Sequence, residues 1–233
     1  MSTRRENRRG LRAKVLGLLG SEDIGQAPGA LNSLPINQTI NALFSFLPNL
    51  EPTIRWAAVT ALGSLVSKLA GQDMEQARKI MRRLMWQLND ESGGIGWGCP
   101  EAMGEIMASH NGLANEFAHI LVSYVRKDGN FLEYQPLQQG VIWGIARLAQ
   151  VRPHLVKEAV PHLVPFLQAR DAMLRGLTVW ALGMLGEKGV QPEIELLAHD
   201  SSEVEIFVDR QLVRCQVKEL AEKAIARIHQ VQQ

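Results

Sequence analysis

The chain has 233 residues, of which 46% are hydrophobic and 21% charged, and its net charge is +1. That much apolar material suits one large domain or two small ones and excludes a chain disordered over most of its length. The longest apolar stretches, such as 43–50 and 141–146, fall far short of the ~18 residues of a membrane-spanning helix, so a soluble protein without a membrane span is expected.

Between Met1 and Lys14 six basic side chains (Arg4, Arg5, Arg8, Arg9, Arg12, Lys14) stand against Glu6, a net +5 that leaves −4 for the remainder. Leu11, Val15, Leu18 and Leu19 share one face of a helix in this region. Arg12 and Lys14 interrupt any signal-peptide core, so secretion is not expected, while the Arg-rich start leaves organelle targeting open. The arm is either a solvated helix or a basic element able to attract phosphate, anionic lipid or an acidic protein face. With Gly25, Pro28, Gly29 and Pro35, the stretch 21–35 reads as a loop, a hinge or covering strap. The two cysteines, Cys99 and Cys215, imply no disulfide framework and fit a reducing cytoplasm.

From residue 37 onward one pattern recurs five times: small, aliphatic, small, any, aliphatic. The copies begin at Ala61, Ala102, Gly144, Ala181 and Ala224, with spacings of 41, 42, 37 and 43. Such a period suits one pair of helices per unit. Trp56 and Trp97 each precede their small residue by five positions, and Trp143 and Trp180 each by one. Small residues one turn apart let the second helix of a pair approach its neighbours closely, and the aliphatics fill the layer between units. First helices are expected at about 37–47, 74–88, 115–126, 155–167 and 193–198, from apolar residues three and four apart. Within the last unit, 204–208 and 212–217 are rich in β-branched residues around Asp209-Arg210-Gln211, which predicts a β-hairpin between two helices. The expected fold is therefore all-α: a right-handed α-solenoid of about five helical hairpins over 37–233, preceded by a basic helix and loop over 1–36. A capping repeat from about 191 carries the hairpin at 204–217.

The segments IRWAAVTALGSL, GWGCPEAMGEIM, GVIWGIARLA and LTVWALGMLG resemble second helices of HEAT-like repeats, of the bacterial sort grouped with phycobilisome-lyase HEAT-like proteins. The resemblance covers 37–228 and implies a fold, since repeats of this class mostly serve as interaction scaffolds. Hydroxylases of the deoxyhypusine type would place His and Glu five and four residues before each repeat's small residue. Here Trp56-Ala57, Trp97-Gly98, Gln139-Gly140 and Gly176-Leu177 stand there, so every His and Glu ligand is missing, and indole or glycine cannot replace them. HEAT-like alkylation-repair glycosylases are similar around CPEAMGEIMASHNGL, yet their catalytic Asp would fall on Gly96. A bilin lyase or chaperone role is suggested only by the repeat subclass. The six His residues are scattered, so no metal site or cofactor is expected.

The least ordinary segment is 89–101, with Gly93, Gly94, Gly96 and Gly98 at a helix start. Each such glycine costs roughly 1 kcal/mol of helix stability against Ala. Two offsets are open: tight packing with Trp97 filling space, or bare N–H groups receiving an anionic group or a partner's backbone. The helix start would favour a Cys99 thiolate, whereas the matching Ala58 of the preceding unit suggests a small buried residue. The expectation is a non-catalytic scaffold or adaptor that binds a protein partner. The candidate contact residues are Glu91, Gly93, Gly94, Gly96, Trp97 and Glu101 of this loop, Arg55 beside Trp56, and the charged run Arg78, Arg82 and Arg83. Nucleic-acid binding through the basic arm and the tryptophans is the alternative.

Overall fold

The computed structural model describes residues 2–20, 24–89 and 96–230, with side chains from Arg9 onward. It divides into two compact units, Met1–His110 and Asn111–Gln233. The fold is all-α with one two-stranded antiparallel sheet, and no described helix is long and apolar enough to cross a membrane.

In the first unit α1 (Ser2–Leu19) buries Val15 and Leu19 and packs on the helices that follow. Within the stretch expected to be a loop, residues 24–31 are helical: a 3-10 turn at Ile24–Gln26 runs into α2 (Ala27–Leu31), with Pro28 in the first turn where its missing N–H does no harm. Ile24, Ala27 and Leu31, spaced three and four apart, are buried, and this apolar stripe outweighs the Gly and Pro content. Three longer helices build the layers: α3 (Ile36–Phe44), α4 (Pro52–Ala70) and α5 (Met74–Leu88), followed by α6 (Cys99–Ser109). Asp73 caps α5 by accepting the Gln76 N–H at 3.1 Å. Helices α4 and α6 pack side by side as the small-residue pattern predicts, for a Cβ on Gly63 would lie 2.5 Å from the Glu105 Cγ.

The second unit begins with α7 (Asn111–Ser123), four residues ahead of its expected start, and α8 (Gln135–Ala149). The helix expected over 155–167 is broken. Pro153, Pro161 and Pro165 divide it into 3-10 turns at Pro153–Leu155, Lys157–Ala159 and Val164–Gln168 around a single turn, α9 (Val160–Leu163), because each proline removes a donor from the ladder. Then come α10 (Ala172–Leu185), the short α11 (Gln191–Glu195), the hairpin β1 (Glu203–Val208) and β2 (Gln211–Gln216), and α12 (Val217–Gln230). The hairpin lies where the β-branched runs predict it, in register Val208↔Gln211 to Glu203↔Gln216. Gly183 brings α10 against α12: a Cβ there would sit 2.7 Å from the Ala224 Cβ.

Candidate functional site at the helix starts of the first unit

At the start of α4, Glu51 donates its backbone N–H to the Asn49 Oδ1 at 2.9 Å and Pro52 opens the helix, which sets Arg55 and Trp56 in the first turns. The Arg55 guanidinium lies over the Trp56 ring, 5.7 Å from its centroid, and Trp56 is buried. The Arg55 Nε is enclosed and has no hydrogen-bond partner.

The neighbouring helix start belongs to α6. Gly98 is its N-cap at φ 74, a left-handed conformation, and a Cβ there would be 2.7 Å from the Leu47 carbonyl oxygen. Glycine is required on both counts, so Gly98 answers to packing. Gly96 is buried and accepts the Cys99 N–H at 3.1 Å. Trp97 and Glu101 flank this turn. Both are partly exposed as residues, yet the Trp97 Nε1 and the Glu101 Oε2 are enclosed and unpartnered. Burial pushes the Glu101 carboxyl above the ordinary carboxylate range, and the charge of Arg55 and the residue's own backbone N–H offset this only in part.

Cys99 settles on its apolar alternative. It is fully buried, its Sγ lies 3.3 Å from the Gln87 Oε1, and burial drives the thiol far above its usual range, so desolvation overrides the helix start.

The charged run separates. Arg78 and Arg82 both turn to Glu75 on the solvent face, and such exposed pairs add little. Arg83 turns inward, donating from Nη1 to the Asn41 Oδ1 at 2.7 Å with its guanidinium 3.8 Å from the Phe44 ring centroid. Of the candidate contacts, the structure therefore groups Arg55, Trp56, Gly96, Trp97 and Glu101, and leaves Arg78 and Arg82 elsewhere. Glu91, Gly93 and Gly94 lie outside the described residues. In the basic arm, Arg12 donates from Nε to the Ser45 Oγ at 3.0 Å and lies 5.2 Å from the Phe46 ring centroid. Among the described residues no three or more His, Cys, Asp and Glu side chains gather as a metal site.

The second unit answers the same positions differently. Arg175, like Arg55, stands six residues before its repeat's alanine. Its guanidinium reaches the Asp200 carboxylate at 2.7 Å, the Ala169 and Arg170 carbonyls and the Ser202 Oγ. The Trp143 Nε1 donates to the Phe207 carbonyl at 2.7 Å, and its ring meets those of Trp180 and Phe207 at 6.2 Å. These indoles are packing groups.

The HEAT-like repeat family model matches residues 136–185, which hold α8 to α10 and the repeat cores at Gly144 and Ala181. That segment is similar to HEAT-like repeats. The match is to HEAT-like repeats in general and does not extend to the phycobilisome-lyase subtype. An uncharacterized protein of Archaeoglobus fulgidus is 27% identical over 183 residues, spanning 76% of this chain and 91% of that one. Among solved structures, an engineered protein superimposes with a TM-score of 0.55 at 15% identity, covering 95% of this chain and 97% of the other. A designed armadillo repeat protein in complex with the peptide (KR)4 superimposes with a TM-score of 0.52 at 19% identity, covering 92% and 98%. At such identities the likeness places the chain in the α-solenoid fold class and goes no further.

One sequence signal marks this arrangement: extending the repeat register one residue upstream of Trp56 pairs Arg55 with Arg175.

Proposed function

We propose that this protein is a non-catalytic scaffold that binds an extended segment of a protein partner across the starts of α4 and α6. The observation that carries this is the set of three enclosed polar atoms without partners, Arg55 Nε, Trp97 Nε1 and Glu101 Oε2, on two adjacent helix starts. Each such atom forgoes a hydrogen bond at a cost of about 1–3 kcal/mol. A peptide main chain offers the missing groups, carbonyls for Trp97 and Arg55 and an N–H for Glu101, and the indole supplies apolar area beside them. Trp97 and Glu101 remain partly exposed, so modest side-chain rotation brings their polar atoms to the surface. That a designed armadillo repeat protein of the same fold class holds (KR)4 supports a peptide as the kind of ligand.

A peptide array probed with wild type, Trp97→Phe and Glu101→Gln tests this. Peptides captured by wild type are expected to lose about ten-fold or more in affinity with each variant, while Trp97→Phe melts as wild type does and Glu101→Gln no lower. Equal binding by all three proteins removes these helix starts as the contact surface.

A further inference from the structure

We propose that the second unit holds a binding site for a small organic carboxylate bearing a ring or a short branched hydrocarbon, in the cavity enclosed by α10, α12 and the β-hairpin. The cavity measures about 200 Å³, and its walls are apolar: Trp180, Met184, Ile206, Val213 and Leu220. A dry apolar cavity of about 150 Å³ accommodates one benzene, so this one has room for a ring and a short polar head. Its rim is charged. Lys223 and Arg227 stand one turn apart on α12, both lining the cavity, against Asp209 at the tip of the hairpin.

Two features mark the rim as built for an anion. The Arg227 Nε is enclosed and lacks a hydrogen-bond partner, a state that a carboxylate oxygen at the cavity mouth would relieve. Asp209 and Arg210 form the two-residue hairpin loop with φ of 50° and 66°, a left-handed pair of the kind that favours Asn-Gly. The strained turn holds Asp209 at the mouth, where it limits the excess positive charge to one, matching a monovalent acid. The apolar walls bind the hydrocarbon, and the cationic rim selects the acid over its neutral analogues.

Cys215 provides a reporter, because it lines the cavity and the residue keeps 8% exposure, whereas Cys99 is wholly buried in the other unit. Calorimetric titration of the full chain with phenylacetate and with phenylacetamide tests the site. Phenylacetate is expected to bind one per chain with Kd at or below about 1 mM, about ten-fold or more tighter than the amide. Arg227→Gln should erase that ten-fold advantage and leave amide binding unchanged. Val213→Phe, or Val208→Phe should the first lower the melting temperature, should abolish binding of both by filling the cavity. Saturating phenylacetate should slow iodoacetamide labelling of Cys215, read peptide by peptide in a mass spectrometer, while labelling of Cys99 stays as it was. The proposal is overturned by the absence of saturable binding up to about 10 mM, by equal affinity for acid and amide, or by an advantage that survives Arg227→Gln.

Discussion

Arg55 and Arg175 occupy the same position relative to the repeat's small residue, one in each unit, and their circumstances are opposite. Arg175 is wrapped by Asp200 and Ser202, which the connection into the hairpin delivers, and by the Ala169 and Arg170 carbonyls just ahead of α10. Arg55 lies over the Trp56 face with its charge acting on Glu101, and its Nε is left enclosed without an acceptor. The tryptophans follow suit, with the Trp143 indole N–H satisfied by the Phe207 carbonyl and that of Trp97 unsatisfied. A repeat thus fixes where a polar group stands, and the insertions between repeats decide whether it is consumed internally. In the second unit the hairpin consumes it. In the first it stays enclosed and unsatisfied.

Paired substitutions break this comparison most sharply at the arginines. Arg175→Met leaves the Asp200 carboxylate unpaired in a largely enclosed place and is expected to lower unfolding stability by about 3 kcal/mol, read by urea denaturation. Arg55→Met gives up the contact with the Trp56 face and the charge that favours the Glu101 carboxylate, and should change stability by about 1 kcal/mol or less. Equal losses would mean that the two guanidinium groups do the same structural work. Next in size are the tryptophans. Trp143→Phe empties space and strands the Phe207 carbonyl, at about 2–3 kcal/mol, whereas Trp97→Phe removes an unpartnered donor and should stay within about 0.5 kcal/mol of wild type.

What was legible in the sequence was the geometry that small residues impose. Gly183 against Ala224 and Gly63 against Glu105 are contacts that the repeated pattern calls for, and the β-branched runs at 204–208 and 212–217 announced the hairpin. Stripes misled where another rule applied. Apolar spacing over 155–167 counted for less than Pro153, Pro161 and Pro165, while at 24–31 the same kind of spacing counted for more than Gly and Pro. The candidate site was legible only in part. Arg55, Trp56, Trp97 and Glu101 stand out as candidates in the sequence, but the different fates of Arg55 and Arg175 depend on Asp200 and Ser202, some 25 residues beyond Arg175, and no local pattern reports such a pairing. The separation of Arg83 from Arg78 and Arg82 is of the same kind, since it follows from Asn41 and Phe44 on α3.

Acid–base behaviour sharpens the contrast at smaller amplitude. Hydrogen bonds from Arg175, with help from Ser202, lower the Asp200 carboxyl from 3.8 to about 2. A depressed carboxylate stabilises the fold above its unfolded value and loses that contribution as pH falls, so Asp200→Asn should cost about 1–2 kcal/mol at pH 7, a difference that closes between about pH 4 and pH 2. Glu101 has the opposite sign. Its folded carboxyl is raised above 4.5, chiefly by burial, so the folded state holds the proton more strongly and stability declines as pH rises past that value. Glu101→Gln should therefore melt higher than wild type at pH 7, with the gap narrowing toward the ordinary carboxylate range. Parallel pH profiles for the two variants would contradict the assignment of one carboxylate to structure and the other to contact.

The smallest effect concerns the turn that lets the second unit close on itself. Val208 and Gln211 pair directly, so Asp209 and Arg210 alone reverse the chain, both at positive φ. A side chain at such a position crowds the backbone carbonyl, and glycine avoids the clash. Arg210→Gly removes the Cβ while keeping the register, and it should raise stability by about 0.5–1 kcal/mol by thermal melting, net of the greater freedom glycine gives the unfolded chain. The contacts that enclose Arg175 and Trp143 come from Asp200, Ser202 and Phe207, all upstream of the turn, so their hydrogen bonds should survive the substitution. A loss of stability on Arg210→Gly would instead show that the arginine side chain itself, and not the turn alone, holds the hairpin over α10.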